Sequence, residues 1–163
     1  MAASGSLIAL PSWAARWTQA DVVGFASSFT TSEQVLLSSV ADTIIPAGNS
    51  IGALSVGVDK FLVKLIDNCY EKEVQDNVKA QLRKLDDGAQ QSFQKSFSAC
   101  DLQQRQESLL KLASSNDKAE NEFFKLMKSE TIRGFSTSRE VMVDHQKYKV
   151  APGHYYGCVD VKA

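Results

Sequence analysis

The sequence predicts an all-α fold: a single irregular helical bundle of five to seven helices with an extended C-terminal tail. Three observations carry this. Apolar residues recur at three- and four-residue intervals through most of the chain, which gathers them on one face of a helix. Helix-start signals are distinct, with Thr30 three residues before Glu33, Asp101 three before Gln104, and Asp117 ahead of a further periodic run. Alternation of apolar and polar residues is nowhere sustained beyond about four positions, so no segment has the pattern of a half-buried strand.

The first helix opens at Thr30, whose hydroxyl can accept from an early backbone amide while Glu33 reaches back, as in a capping box. Leu36, Val40, Thr43 and Ile44 then share a face, with Leu37 and Ala41 beside them. Pro46 has no amide hydrogen and disfavours helical geometry at Ile45, so the helix ends there. Asp42 falls in the last turn, against the negative end of the helix dipole, at a cost of a few tenths to about 1 kcal/mol. Two readings of it stand: a solvated acid that tolerates the cost, or a carboxylate that accepts from backbone amides of the next loop and fixes how the second helix leaves. Ala47 to Ser55 is linker-like, and Gly57-Val58-Asp59-Lys60-Phe61 opens the second helix. Asp42, Pro46, Gly57 and Asp59 are therefore the structural residues of a joint.

In the second helix Val58, Phe61, Leu62, Leu65, Ile66 and Cys69 form one apolar stripe, which makes it central. Glu71 to Gln90 reads as a longer helix with Val74, Val78, Leu82, Leu85 and Ala89 on the buried side and Gly88 as a weak point near its end. Phe93 and Phe97, four apart, suit a further helical turn that lays both rings on the core. From Asp101 the next helix has Leu102, Leu109, Leu110 and Ala113 as its apolar side, and Ser114-Ser115-Asn116 is a turn. Asp117 caps a helix through Met127, with Ala119, Phe123, Leu126 and Met127 inward, and Gly134 ends the region. A short helix covers Glu140 to His145. The expected organisation is an N-terminal segment over 1–20, a helical domain over 21–147 and a C-terminal tail over 148–163.

The 163 residues are 44% hydrophobic with a formal charge of −1, enough apolar material for one core. Lys and Arg are scattered among Asp and Glu, leaving no basic patch to attract nucleic-acid phosphate. Catalytic patterns are equally sparse. His145 and His154 belong to no ligand-spaced group of the kind a zinc site uses. There is no glycine-rich phosphate loop on a strand–helix unit, so flavin and nicotinamide are not expected in this chain. The three cysteines are too dispersed for an iron–sulfur cluster, no Cys-x-x-Cys-His is present for covalent haem, and no serine sits in a nucleophile elbow. Paired acids such as Glu71 with Glu73 and Asp86 with Asp87 lie on polar helix faces.

Surface burial is the chemistry that remains. Phe123 and Phe124 are adjacent, so on a helix they point about 100° apart and cannot fill the same side of the core. With Ile132 they can present an apolar face, one ring of the pair turning outward. In the tail, Pro152-Gly153 precedes His154, Tyr155, Tyr156 and Cys158; polar-tipped aromatic rings of this kind are favoured at interfaces, and Tyr155 and Tyr156 are the expected anchors. The alternative is a tail folded back over its own helices. Cys69 and Cys100 either form a bridge, which the chain-entropy model values at roughly 3 to 4 kcal/mol, or stay as buried thiols. Cys158 is the candidate for a disulfide to another chain.

The run SSVADTIIPAGNSIGALSVGVDKFL, the phenylalanine pair in NEFFKLMKSETIRGFSTS and the closing YKVAPGHYYGCV together resemble the gluconate 2-dehydrogenase subunit 3 family, over about Ser32 to Cys158. The resemblance implies a non-catalytic small subunit that binds, stabilises and aids export of a large flavin-dependent dehydrogenase of the glucose-methanol-choline type. FAD would reside in that partner, a cytochrome c subunit would accept the electrons, and the complex would be periplasmic. Ala2 to Leu10, small and apolar, resembles the end of an export signal whose twin-arginine start would lie upstream of Met1; the other reading is a native segment that packs Trp13 and Trp17 on the domain. Ten residues cannot span a bilayer. Two rivals stand beside the subunit reading. One is a stand-alone helical ligand- or protein-binding module; the other is a small enzyme, whose sign would be Asp42, Asp59 and His145 or His154 converging on a pocket.

Overall fold

The computed structural model describes residues 27–149 together with 151 and 153. Five α-helices dominate: α1 (Thr31–Ile44), α2 (Val58–Cys69), α3 (Lys72–Phe93), α4 (Leu102–Ala113) and α5 (Lys118–Ser136). Short 3₁₀ turns at Leu54–Val56 and Phe97–Ala99 and a π-helical turn at Glu140–His145 complete them, and no strand occurs among the described residues. The fold is all-α, as the periodicity predicts. Residues 1–26 and most of the expected tail lie outside the described residues.

The capping box at the start of α1 is made in both directions. The Glu33 amide donates to the Thr30 hydroxyl at 3.3 Å, and the Thr30 amide donates to the Glu33 carboxylate at 2.9 Å. Glu33 is also buried, and Arg83 of α3 reaches its other oxygen at 2.8 Å. Burial alone would raise its pKa; the Thr30 amide and hydroxyl and the Arg83 guanidinium outweigh that and hold the carboxyl below its usual range.

At the other end of α1, Ile45 leaves helical geometry ahead of Pro46, as expected. Asp42 departs from both readings of it. Its carboxylate accepts from Arg105 of α4 at 2.9 Å, and the same guanidinium donates to the Ser39 carbonyl at 3.3 Å. One cation thus meets both the acid and the negative helix end that made the acid costly. The loop fixes itself: the Ala53 amide returns to the Ile45 carbonyl at 2.9 Å, and the Val58 amide donates to the Ala53 carbonyl at 3.1 Å. Within the linker-like stretch Gly52 and Ala53 are buried, which anchors an otherwise exposed loop. Gly57 turns it into α2 with φ 72°, a left-handed conformation that a side chain disfavours.

Val58, Leu62 and Ile66 of α2 are buried to 1% exposure or less, which makes this helix central. Helix α3 runs past Gly88 and ends with Gln94 in left-handed geometry. Phe93 and Phe97 therefore do not share a helix. Asp86 accepts from the Ser96 hydroxyl and the Phe97 amide, both at 2.7 Å, and this clamp sends the Phe97 ring into the centre of the core. On α4 the capping box of Asp101 and Gln104 forms as expected. The buried side is Leu109 and Leu112; Leu110 faces outward, because the face is set by packing against α1 and α5 rather than by the count of leucines.

Helix α5 does not stop near Met127 or at Gly134. It continues to Ser136, with Gly134 inside it, because Phe61 of α2 lies against that position. Arg133 stacks over the same ring at 5.7 Å, and Tyr70 donates to Glu130 at 3.1 Å, tying α2 to α5 along this seam. The largest buried side chains, among them Phe97, Phe123, Leu37, Leu62, Leu82 and Met127, come from α1, α2, α3, α5 and the turn after α3.

Candidate functional site

Helices α4 and α5 are joined by a short turn over Ser114–Asp117 and run antiparallel, with the end of α1 beneath them. Where the three meet is a groove of about 310 Å³, lined by Thr43 and Ile44 of α1, Gln106, Leu109 and Leu110 of α4, and Phe124 and Lys128 of α5. Its floor is the buried Leu109 and Thr43, and Ile44 and Phe124 form half-buried walls. Leu110 stands on the rim at 65% exposure, the most exposed large apolar side chain among the described residues.

Local helix geometry builds this surface from two doublets. Phe123 and Phe124 point about 100° apart, as do Leu109 and Leu110, so one member of each enters the core and the other turns to the groove. Phe123 is 1% exposed and belongs to the core, which removes it from the expected partner face; its neighbour Phe124 stays on that face. Ile132 lies two turns beyond Phe124 on the same i, i+4, i+8 ridge and is 46% exposed. On α4 the matching ridge is Leu102, Gln106 and Leu110, with Leu102 37% exposed. Of the expected interface residues, Phe124 and Ile132 are thus brought onto one ridge. His154, Tyr155, Tyr156 and Cys158 lie outside the described residues.

The groove holds little chemistry beyond apolar contact. Thr43 donates its hydroxyl to the Ser39 carbonyl at 2.6 Å, and Lys128 is the one charged side chain that lines it. Asp42 is paired with Arg105, Asp59 lines a different cavity with Lys60, Lys64 and Asp67, and His145 lines a third beside Ile51, Phe135 and Val141. These three do not converge. Among the described residues no cluster of three or more His, Cys, Asp or Glu side chains is placed to hold a metal ion. Cys69, at the end of α2, is exposed, whereas Cys100, ahead of α4, is buried; both are free thiols, so the Cys69–Cys100 bridge is not made. Burial pushes the Cys100 thiol pKa up.

Leu110, Ile44 and Lys128 were not singled out as interface residues from sequence. The signal for Leu110 was present, since Leu109-Leu110 is the same kind of doublet as Phe123-Phe124. That for Ile44 and Lys128 was not, because only the packing of three helices brings them together. No helix among the described residues is long and apolar enough to cross a membrane. A family model described as gluconate 2-dehydrogenase subunit 3 matches residues 31–153. No curated protein and no solved structure matches the chain.

Proposed function

The chain belongs to the gluconate 2-dehydrogenase subunit 3 family, and from that premise we propose that it is the non-catalytic small subunit of a flavin-dependent dehydrogenase complex. It docks on a large subunit of the glucose-methanol-choline type, stabilises it and accompanies its export to the periplasm in folded form. FAD and the oxidation of the sugar or alcohol belong to that partner, and electrons pass onward to a cytochrome c subunit.

The observation that carries this reading is the groove of α1, α4 and α5 with Leu110 at its rim and Phe124 in its wall. Apolar area withdrawn from water contributes about 25 cal/mol per Å², so covering Leu110, Phe124 and Ile132 gives a partner a driving force that needs no reaction at this chain. The exposed polar side chains that line the groove are Gln106 and Lys128. His154, Tyr155, Tyr156 and Cys158 are the second part of the proposed docking surface.

The test is removal of the chain from cells that make the large subunit, followed by assay of flavin-dependent dehydrogenase activity in periplasmic and cytoplasmic fractions. Periplasmic activity is expected to be lost and to return when the chain is supplied again. Unchanged periplasmic activity without the chain would overturn the reading.

A further inference from the structure

Just ahead of α1, residues 27–29 are held against α2 and α3 through side chains. Asp67, near the end of α2, accepts from the Ser27 hydroxyl at 2.7 Å, from the Ser28 amide at 3.1 Å and from the Ser28 hydroxyl. Lys79 of α3 donates to that same Ser28 hydroxyl at 2.8 Å and stands 5.0 Å from the centre of the Phe29 ring. The Phe29 amide donates to the Ser27 hydroxyl at 3.1 Å, and the Phe29 carbonyl accepts from the Gln34 side chain at 3.0 Å. Among the described residues no backbone-to-backbone hydrogen bond reaches Ser27, Ser28 or Phe29.

The two ends of this strap are fastened differently. Phe29 is 4% exposed and belongs to the core, whereas Ser27 and Ser28 are exposed and bring no apolar side chain to it. The bonds of the two serines to α2 all end on one half-buried carboxylate. Helix α1 does not depend on them, because Thr30 and Glu33 close its capping box by themselves. Segments with few buried apolar contacts and solvent-exposed hydrogen bonds are the ones that open without global unfolding. From these contacts we propose that residues 27–28 form a latched strap, with Asp67 as the catch and Phe29 as the hinge, which opens while α1 to α5 stay folded. Ser27 is also one wall of a cavity of about 180 Å³, lined besides by Gln34 of α1 and by Asp59, Lys60, Val63 and Lys64 of α2. Opening removes that wall, so the strap is a gate on the cavity. The latch does not depend on the docking role proposed above.

The test is residue-resolved amide hydrogen exchange on the isotope-labelled full chain, followed by NMR at rising urea below the unfolding transition. The Ser28 amide is expected to exchange about tenfold more slowly than in an unstructured peptide, yet almost independently of urea, because opening the strap exposes little surface. Exchange at Leu62 and Leu82 in the core is expected to follow the urea dependence of global unfolding. Asp67→Ala removes the acceptor of all three bonds and is expected to speed Ser28 exchange about tenfold, the scale of one hydrogen bond to a charged group. Asn68→Ala, at the exposed next position, is the control and is expected to change it by less than about twofold. A Ser28 amide that exchanges as in an unstructured peptide would mean that the catch is not made. Exchange of Ser28 with the urea dependence of Leu62 would mean that the strap opens only with the whole bundle, and a Ser28 rate indifferent to Asp67→Ala would mean that Asp67 is not the catch. Each of these results overturns the proposal, and the urea series on the wild-type chain decides the second without any variant.

Discussion

The Phe61 ring occupies the space that a Cβ on Gly134 would need: its Cδ1 is 2.6 Å from that position. Helices α2 and α5 are close enough at this point only because residue 134 has no side chain. Alanine is favoured over glycine inside a helix by about 1 kcal/mol, but forcing a methyl against a packed ring costs about 1 to 3 kcal/mol. Gly134→Ala is expected to lower stability by up to about 2 kcal/mol in urea unfolding, as the overpacking cost less the propensity gain. Gly88→Ala is the control. Nothing lies within 4 Å of its Cβ position, and its helix is regular there, so it is expected to gain about 0.5 to 1 kcal/mol.

Arg105 holds the end of α1 through two acceptors, the Asp42 carboxylate and the Ser39 carbonyl. Arg105→Ala removes both bonds, whereas Asp42→Ala removes one and also takes a negative charge away from the helix end. Arg105→Ala is expected to cost about 2 to 3 kcal/mol and Asp42→Ala about 1 kcal/mol in chemical denaturation. Equal losses would mean that the Ser39 carbonyl contributes nothing.

Glu33 gives the acid limb of the stability curve a specific source. Its carboxyl titrates lower in the folded chain than when unfolded, so the unfolded state takes up the proton first as pH falls. The stabilisation is therefore full above the ordinary carboxylate pKa and is lost as pH drops through the lowered folded value. Glu33→Gln is expected to be less stable than the wild type at neutral pH and to show a shallower decline in thermal midpoint below pH 5, the region about where such carboxylates begin to protonate. Parallel acid limbs for the two proteins would refute this.

Thiol chemistry separates Cys69 from Cys100. Cys69 is exposed at the end of α2, while Cys100 is buried with its pKa raised, and the thiolate is the reactive form. Iodoacetamide on the native chain is expected to modify Cys69 within minutes and Cys100 only after denaturant is added, as read by peptide mass spectrometry. Early modification of Cys100 would show that the turn ahead of α4 opens readily.

Much of the fold was legible because it is written in local chemistry. Thr30 with Glu33, Asp101 with Gln104, and Pro46 after Ile45 each act within one helical turn, and the structure makes each of them. Most of the misreadings involve partners distant in sequence. Gly134 reads as a stop until Phe61 is beside it; Asp42 reads as a loop acid until Arg105 arrives from α4; Leu110 reads as core because only tertiary packing chooses between it and Leu112. The proposed docking face was half legible for the same reason. The adjacency of Phe123 and Phe124 announces that one of them turns away from the core but not which, and only tertiary packing brings Lys128 to the groove that Gln106 also lines.

The central claim is that this chain is one part of a larger enzyme. Its most direct test is size-exclusion chromatography with light scattering on the tagged chain co-expressed with its large flavin subunit, with absorbance at the flavin wavelength recorded across the peak. A single flavin-yellow species with the mass of one copy of each chain is expected. Elution of the chain alone, beside a large subunit that is folded and fully flavinated without it, would contradict the account.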